Sequence, residues 1–255
     1  MEKIKEQLKT FAPITLSEMS DKMLMSRMDT KYVFPESQLS FFLEALKNDY
    51  RVLDVNGYRM SRYESLYFDT EKLDLFHKHH RGRSSRHKIR YRKYVESDLN
   101  FFEIKFKNNK GRTIKNRVKQ PAIQESITDL AEKFLHEKTP ILSSELLPQF
   151  WANYSRITLV NNVLEERVTL DLNLVFKKNS EEHMVRELVI AEVKQEKYVS
   201  SSFLKLMKKH HVREGSISKY CLGVIRIDDS IKHNNFKSNL RKINKVIYGN
   251  SSGSK

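Results

Sequence analysis

Lysine and arginine recur on alternate residues within the stretch 86–117, RHKIRYRKYVESDLNFFEIKFKNNKGRTIKNR. One series runs from Arg86 to Arg92, and a second contains Glu103, Lys105 and Lys107. Because alternate side chains of a β-strand lie on the same face, this spacing gathers positive charge on one face of a sheet. Guanidinium and ammonium groups arranged in this way can bind phosphate oxygens through charge-assisted hydrogen bonds.

The positive charge of the whole sequence is concentrated in this region. The formal net charge is +15 over 255 residues, and residues 81–119 carry 14 Lys and Arg against three acids, so +11 lies there. Such a local field indicates a polyanionic partner, and the candidates are a nucleic acid, an anionic membrane surface or a phosphate-rich small molecule.

The remaining composition excludes several classes. Cys221 is the only cysteine, so an internal disulfide is excluded and a cytoplasmic location is predicted. The first residues lack a long apolar run, so no signal peptide is predicted, and no segment is apolar enough to cross a bilayer. Peripheral contact with a membrane and the oligomeric state stay open. No P-loop motif occurs, which argues against a P-loop kinase.

The sequence alternates between strand and helix patterns. With few Gly and Pro and no repeat or linker, we predict one domain over 1–250 and a disordered tail at 251–255. Strands are predicted at 29–34, 63–70, 86–95, 101–108, 112–119, 156–160, 166–176 and 187–194. Helices are predicted at 4–11, 35–50, 123–134, 141–151, 201–211, 216–224 and 236–247.

Several predicted strands have one apolar face and one charged face. In an ordinary antiparallel sheet the charged face is solvated, whereas a sheet curled into a barrel directs it inward. An inward wall of Lys and Arg would be stable around a dense polyanion and a divalent cation, with the few carboxylates as ligands of the cation. The pattern alone leaves open a solvated face or a face that binds nucleic acid.

Seven short motifs occur in order along the chain: RMDTKYVF, YFDT, KIRYRKY, FFEIKFKNNKGRTIKNR, RVTLDLNL, AEVKQ and SISKY. Together, from about Arg27 to Tyr220, they resemble the VTC domain, the catalytic domain of vacuolar transporter chaperone polyphosphate polymerases and their bacterial relatives, within the triphosphate tunnel metalloenzymes. The resemblance implies an α+β fold, with a closed antiparallel barrel of about eight strands flanked by helices. It further implies that a basic tunnel binds ATP and inorganic polyphosphate and that the γ-phosphate of ATP is transferred to the chain with Mn²⁺ or Mg²⁺.

The same resemblance leads to a set of candidate site residues. The cations expected to act on the transferring phosphate are Arg90, Arg92, Lys105 and Lys219. Further cations are expected to bind phosphate: Lys31, Lys88, Lys115, Arg117, Arg156, Arg167 and Lys194. Glu192 matches the metal-binding glutamate, and Glu103 or Asp171 is a possible further ligand. Phosphoryl transfer needs positioning and charge neutralisation, and an acceptor phosphate oxygen is already ionised, so no general base is expected.

Other interpretations remain at this stage. Within the same fold, the protein could hydrolyse tripolyphosphate or nucleoside triphosphate. In a different class, it could be a non-catalytic module that binds polyanions or nucleic acid, although acids on the charged faces would then repel phosphates. Asp171 could simply pair with Arg156 or Arg167. A solvated loop, rather than a zinc site, is predicted for His77 to His80. The SPX domain and membrane helices of many eukaryotic relatives do not occur in the sequence, which resembles the bacterial stand-alone type.

Overall fold

The structure is a computed structural model that describes residues 1–20, 28–215 and 218–249. In these residues the strands are β1 (Pro13–Ile14), β2 (Met28–Pro35), β3 (Tyr50–Leu53), β4 (Ser61–Asp69), β5 (Arg86–Tyr94), β6 (Leu99–Lys107), β7 (Thr113–Gln120), β8 (Leu147–Asn161), β9 (Glu166–Lys178), β10 (Glu181–Val185) and β11 (Leu188–Gln195). The helices are α1 (Glu2–Leu8), α2 (Leu16–Ser20), α3 (Leu39–Leu46), α4 (Asp74–His80), α5 (Asp129–Lys138), α6 (Ser202–Lys209), α7 (Lys219–Ile227) and α8 (Lys237–Tyr248).

The strands form one mixed sheet that is almost entirely antiparallel. Its main path has the order β2-β11-β9-β8-β4-β5-β6-β7, while β10 extends β9, and β3 pairs with β8 and, in parallel, with β1. The α+β class and the antiparallel sheet flanked by helices are therefore confirmed. No helix of the described residues is long and apolar enough to cross a membrane.

The sheet curls strongly, although hydrogen bonds do not close it in the described residues. Glu192 on β11 acts electrostatically on Lys105 on β6, although four strands separate β11 from β6 along the path. A flat sheet would hold such strands about 24 Å apart, so the sheet must bend round to bring its arms together.

The predicted barrel closure needs one correction at the seam between β2 and β7. These end strands share no ladder in the described residues. The chain leading towards α7 lies along β2 instead: the Gly215 amide donates to the Lys31 carbonyl at 2.8 Å, and Tyr32 pairs with Glu214 as an isolated bridge. Because this segment occupies the edge groups of β2 that would otherwise pair with another strand, the sheet remains open there.

Alternation along the strands separates two faces of the curled sheet. On β11, Val189, Ala191 and Val193 belong to the outer core, while Glu192 and Lys194 project to the inner face. Helices α1, α3 and α6 contribute to this outer core, and α5 packs on a second outer cluster through Ala131 and Leu135. Helices α7 and α8 pack against a third cluster at one end of the inner face.

Two segments contradict the sequence prediction, which also lacks the short elements β1, α2, β3 and β10. The helix predicted at 141–151 is wrong, because Leu147–Asn161 forms the long strand β8. Along β8, Ala152 and Tyr154 lie on the inner face, whereas Trp151 between Phe150 and Ala152 packs against an outer cluster. The histidines of segment 77–80 lie on α4 rather than in a solvated loop, and His80 is buried. Predictions that concern Arg27, residues 216–217 and the tail 251–255 fall outside the described residues.

Candidate active site

The strand registers bring the predicted cations onto the inner face. Three strands supply rows of facing residues, such as Lys88–Lys105–Lys115 across β5, β6 and β7. We use the name cationic cluster for the predicted cations and carboxylates together: Lys31, Lys88, Arg90, Arg92, Lys105, Lys115, Arg117, Arg156, Arg167, Lys194, Lys219, Glu103, Asp171 and Glu192. Within it eleven cations face three carboxylates, and the three carboxylates organise three separate groups of side chains.

Glu103 is the carboxylate at the centre of the β5–β7 wall. It is completely buried and accepts hydrogen bonds from Arg90 at 2.6 and 2.8 Å, while Lys115 lies at 2.5 Å and Arg92 at 3.9 Å. Burial opposes ionisation, but the charges of Arg90, Arg92 and Lys115 overcome it and hold the pKa of Glu103 well below its ordinary value. Glu103 therefore acts as a fixed negative charge that orders three cations.

Asp171 on β9 organises a second group, which joins the sheet to α7. Arg156 donates to its two oxygens at 2.5 and 2.7 Å, and the Lys219 ammonium donates to Oδ2. Burial is again outweighed, here by Arg156 and Lys219, and the pKa of Asp171 falls to about 2. The suggested pairing of Asp171 with Arg156 is present in the structure.

Glu192 on β11 forms a third group with lysines. Lys194 lies 2.8 Å from Oε2 and Lys31 lies 3.9 Å from Oε1. Despite burial, Lys194, Lys31 and Lys105 hold the pKa of Glu192 well below its ordinary value. Lys194 also contacts Asp29 at 3.8 Å, a carboxylate that the sequence interpretation did not select.

Lys105 differs from the other cations of the cluster. It makes no hydrogen bond or ion pair with the described residues, and burial together with the nearby charge of Arg90 lowers its pKa well below the ordinary value. Burial has the same effect on the pKa of Lys88 and Lys219, and it lowers the pKa of Lys115 to about 7. The positive charge of the cluster thus exceeds what its own carboxylates can compensate.

Aromatic rings support the inner face below the cations. Tyr63 and Tyr154 stack with centroids 5.2 Å apart, and the Arg156 guanidinium lies 4.9 Å from the centre of Tyr63. The Lys219 ammonium lies 4.5 Å from the centre of Tyr154. Contacts of this kind contribute roughly 0.5–2 kcal/mol each and hold cationic groups in fixed positions.

Three polar residues that position the site were missed from sequence. The Tyr67 hydroxyl accepts from Arg90 at 2.8 Å, and the Ser65 hydroxyl accepts from Arg92 at 3.0 Å. The Ser218 hydroxyl caps α7 and accepts from Lys88 at 3.0 Å. Tyr67 and Ser65 alternate on the inner face of β4, so the pattern indicated their side of the sheet but not their partners.

Asp69 holds the two helices that border the site. It is completely buried and accepts from the Leu75 and Phe76 amides at the start of α4, each at 2.9 Å, and from the Tyr220 hydroxyl on α7. Because Tyr220 follows Lys219 directly, this carboxylate fixes the depth at which α7 presents the Lys219 ammonium.

Two predicted cations lie at the margin of the cluster. Arg117 on β7 is exposed and stacks 4.5 Å above the centre of the Phe101 ring. Arg167 on β9 faces Lys194 in the sheet register and approaches the Met19 sulfur at 3.7 Å. Arg117 therefore contacts an aromatic ring rather than one of these carboxylates among the described residues, and Arg167 lies beside Lys194.

The predicted metal ligands do not converge. In the described part of the chain, no group of three or more His, Cys, Asp and Glu side chains could hold a metal ion. Glu103 and Asp171 are saturated by cations, whereas Glu192 is partly accessible, with 18% of its side chain exposed. A divalent cation at Glu192 would therefore take most of its ligands from substrate oxygens, which is the usual arrangement for Mg²⁺ at phosphate sites.

Comparison with known proteins bears on the family of this chain. Three solved structures are similar to this chain at low identity: a Vibrio parahaemolyticus protein described as a candidate adenylate cyclase (12% identity, TM-score 0.47, 78% of this chain and 99% of that chain), one from Bacillus halodurans with the same description (11%, 0.46, 76% and 94%), and a Hippeastrum protein described as an adenylyl cyclase candidate with a dominant triphosphatase activity (13%, 0.49, 77% and 95%). Comparison with curated proteins gives no match.

The family of this chain is shown by a match of its sequence to a known domain. Residues 26–227, which contain all members of the cationic cluster, match the VTC domain. The matched region begins just before β2 and ends with the last residue of α7, so it includes the main path of the sheet and the helix that carries Lys219. This chain belongs to the VTC domain family.

Proposed function

We propose that the protein is a polyphosphate polymerase, which transfers the γ-phosphate of ATP to a growing inorganic polyphosphate chain at the cationic cluster. The observation that carries this proposal is the buried excess of positive charge, and above all Lys105, which forms no hydrogen bond or ion pair with the described residues and has only the more distant charge of Glu192 to compensate it. A phosphate chain would supply the missing negative charge. Membership of the VTC domain family supports the same reaction.

The shape of the site favours a slender polyanion over a duplex. Arg90 and Arg92 are only 8% and 5% exposed, within the concave side of a curled sheet. A single phosphate chain can enter such a space, whereas the rigid backbone of a nucleic-acid duplex cannot bring its phosphates to these guanidinium groups. The buried position of the cations therefore argues against the alternative of a general nucleic-acid-binding module.

The proposed reaction assigns a role to each part of the cluster. Arg90 and Arg92, oriented by Glu103, Tyr67 and Ser65, would bind the equatorial oxygens of the transferring phosphate. Phosphate oxygens beside Lys105 would favour the charged form of its ammonium group. Lys219, held by Asp171 over Tyr154, would approach the phosphates from α7.

Glu192 is the residue that would hold a divalent cation. When bound there together with substrate oxygens, Mn²⁺ or Mg²⁺ would supply neutralisation of charge on the phosphates and on the leaving oxygen. Lys31 and Lys194 lie beside Glu192 and would bind the same phosphates from the opposite side. The ionised acceptor oxygen requires no general base, and none is assigned.

The test is to incubate the protein with ATP and Mn²⁺, with and without a chelator, and to separate the products by size. Metal-dependent formation of long phosphate chains is the expected result. Release of ADP and inorganic phosphate alone would overturn the polymerase assignment in favour of a hydrolase. Tight polyanion binding without any turnover would instead indicate a binding module. Arg90→Ala serves as the inactive control.

A further inference from the structure

Strands β5, β6 and β7 run along the inner face, and the chain segments at one end of these strands differ in charge from those at the other end. At one end, loop 81–86 (RGRSSR) leads into β5, and segment 107–112 (KNNKGR) connects β6 to β7. We call these two segments the basic rim. The ladder pair Arg86–Lys107 and the next pair, Lys107–Thr113, place both segments at the same end of the sheet.

The basic rim contains cations only. Its six charged residues are Arg81, Arg83, Arg86, Lys107, Lys110 and Arg112, and it contains no Asp or Glu. None of the six forms an ion pair with a carboxylate of the described residues. Four of them, Arg81, Arg83, Lys110 and Arg112, are exposed. These charges are available to a ligand that leaves the inner face.

At the opposite end of the same strands, Lys119 of β7 is exposed, but the segment between β5 and β6 is electrically balanced. There the segment between β5 and β6 contains Glu96 and Asp98, which pair with Arg62 at 2.9 Å and with Lys93 at 3.1 Å. The two ends therefore offer different fields to a polyanion, although the strands between them are shared. A negative chain that occupies the inner face would be attracted outward more strongly at the basic rim than at the other end.

His79 and the ladder of β5 and β6 show that the rim is continuous with the cationic cluster. This half-buried side chain on α4 has a buried Nδ1 that forms no hydrogen bond with the described residues. Burial, followed by the charges of Lys88, Arg86 and Lys107, lowers its pKa to about 3. The ladder pairs Arg86–Lys107 and Lys88–Lys105 are next to each other on the same face of β5 and β6, so no neutral gap separates the two regions.

We propose that the basic rim binds the part of an inorganic polyphosphate chain that extends beyond the cationic cluster, so that the chain leaves the inner face at this end. The proposal rests on the proposed function and adds the direction of the chain and a length-dependent subsite. Neither rim segment contains an aromatic residue, and the adjacent His87 and Phe106 stack on each other with centroids 4.5 Å apart. Single-stranded nucleic acid is bound largely by stacking its bases on free rings, so the rim suits bare phosphates better.

The test compares ligands of different length on matched variants. The rim variant carries Arg81→Gln, Arg83→Gln, Lys110→Gln and Arg112→Gln, which change exposed side chains without hydrogen bonds in the described residues. The control variant removes the same charge from the outer side of the sheet through Lys3→Gln, Lys205→Gln, Lys208→Gln and Lys209→Gln on α1 and α6. Binding of tripolyphosphate, of long polyphosphate and of single-stranded DNA is measured for each protein over a range of salt concentrations.

The expected result is specific to chain length. The rim variant should bind long polyphosphate on the order of tenfold to a hundredfold more weakly than the wild type, since four exposed charge contacts are lost. Its salt dependence should become shallower by on the order of 0.7 in log–log slope per lost contact. Tripolyphosphate affinity should be unchanged in both variants, and the control variant should bind the long chain like the wild type.

Three outcomes would overturn the proposal. Unchanged affinity of the rim variant for long polyphosphate would show that the basic rim does not bind the chain. An equal loss in the control variant would show that only net charge matters. A larger loss for single-stranded DNA than for polyphosphate would assign the rim to nucleic acid. All three are measured without turnover, so they are distinguishable from failure of the polymerase proposal, which the product analysis with ATP decides.

Discussion

Replacing Glu103 by Gln removes the one negative charge at the centre of the β5–β7 wall while keeping the size of the side chain. In the wild type, Arg90 donates to Glu103 at 2.6 and 2.8 Å, and Lys115 lies 2.5 Å away. The variant leaves the buried Arg90 without its carboxylate. Lys115, whose pKa is already lowered to about 7, should then lose its proton more readily.

The size of the effect follows from the burial of the pair. Removing one partner of a buried ion pair typically destabilises a protein by about 3–5 kcal/mol, because the other charge remains uncompensated. Here a phosphate chain can provide the lost charge. We therefore expect Glu103→Gln to unfold more easily when free and to bind tripolyphosphate more tightly, with a gain of about 1–3 kcal/mol, or roughly 5- to 150-fold.

The assay is urea unfolding of wild type and Glu103→Gln, with and without saturating tripolyphosphate. Glu182→Gln, which breaks an exposed Glu–Lys pair on β10, is the matched control and should cost about 0–1 kcal/mol. The folded pKa of Glu103 lies well below 4.5, so its contribution is fully present above that value and is lost as pH falls towards the folded pKa. A stability gap that tripolyphosphate fails to narrow would refute the reasoning.

Three further substitutions separate the roles within the cluster. Glu192→Gln should lower ATP turnover by a factor on the order of 10²–10³, while the affinity for tripolyphosphate in the absence of metal should be unchanged. Wild-type turnover of this variant would contradict the assignment of Glu192 as the metal ligand. Arg90→Lys keeps the charge but loses the forked hydrogen bonds, so calorimetry should show binding weaker by about 1.5–3 kcal/mol; unchanged affinity would argue against a phosphate contact. Lys219→Ala should reduce the rate more than the affinity, because Lys219 reaches the site from α7 rather than from the sheet, and a pure loss of affinity would contradict this role.

The strand patterns predicted the faces of the sheet well, because a period of two residues is a local property of the backbone. The basic strands, the aliphatic face of β11 and that of β9 up to Leu172 lie where alternation predicts them, whereas Leu174, expected on the same face, lies in the other cluster beyond the irregular backbone at Asn173. The segment 141–151 was misread because its apolar residues fit a helix as well as a strand. Only its pairing with β4 and β9 makes it part of β8.

The partners within the site could not be predicted, since they depend on register and on curvature. Glu103 and Arg90 are thirteen residues apart, and the sheet register rather than sequence spacing joins them. Ser218 and Lys88 meet only because the sheet curls around the start of α7. The open seam beside β2 likewise depends on Glu214 and Gly215, which have no strand pattern of their own.

Proton uptake on ligand binding tests most directly the claim that the cationic cluster receives a phosphate chain. Calorimetry at pH 8 in buffers of different ionisation enthalpy gives the number of protons bound with long polyphosphate, whose internal phosphates are fully ionised. Burial lowers the pKa of Lys115 to about 7 even beside Glu103, so part of the Lys115 population lacks its proton at pH 8, and phosphate oxygens should favour the charged form. The wild type should therefore take up more protons than Lys115→Met. Equal uptake by the two proteins would show that the chain binds elsewhere and would contradict the account.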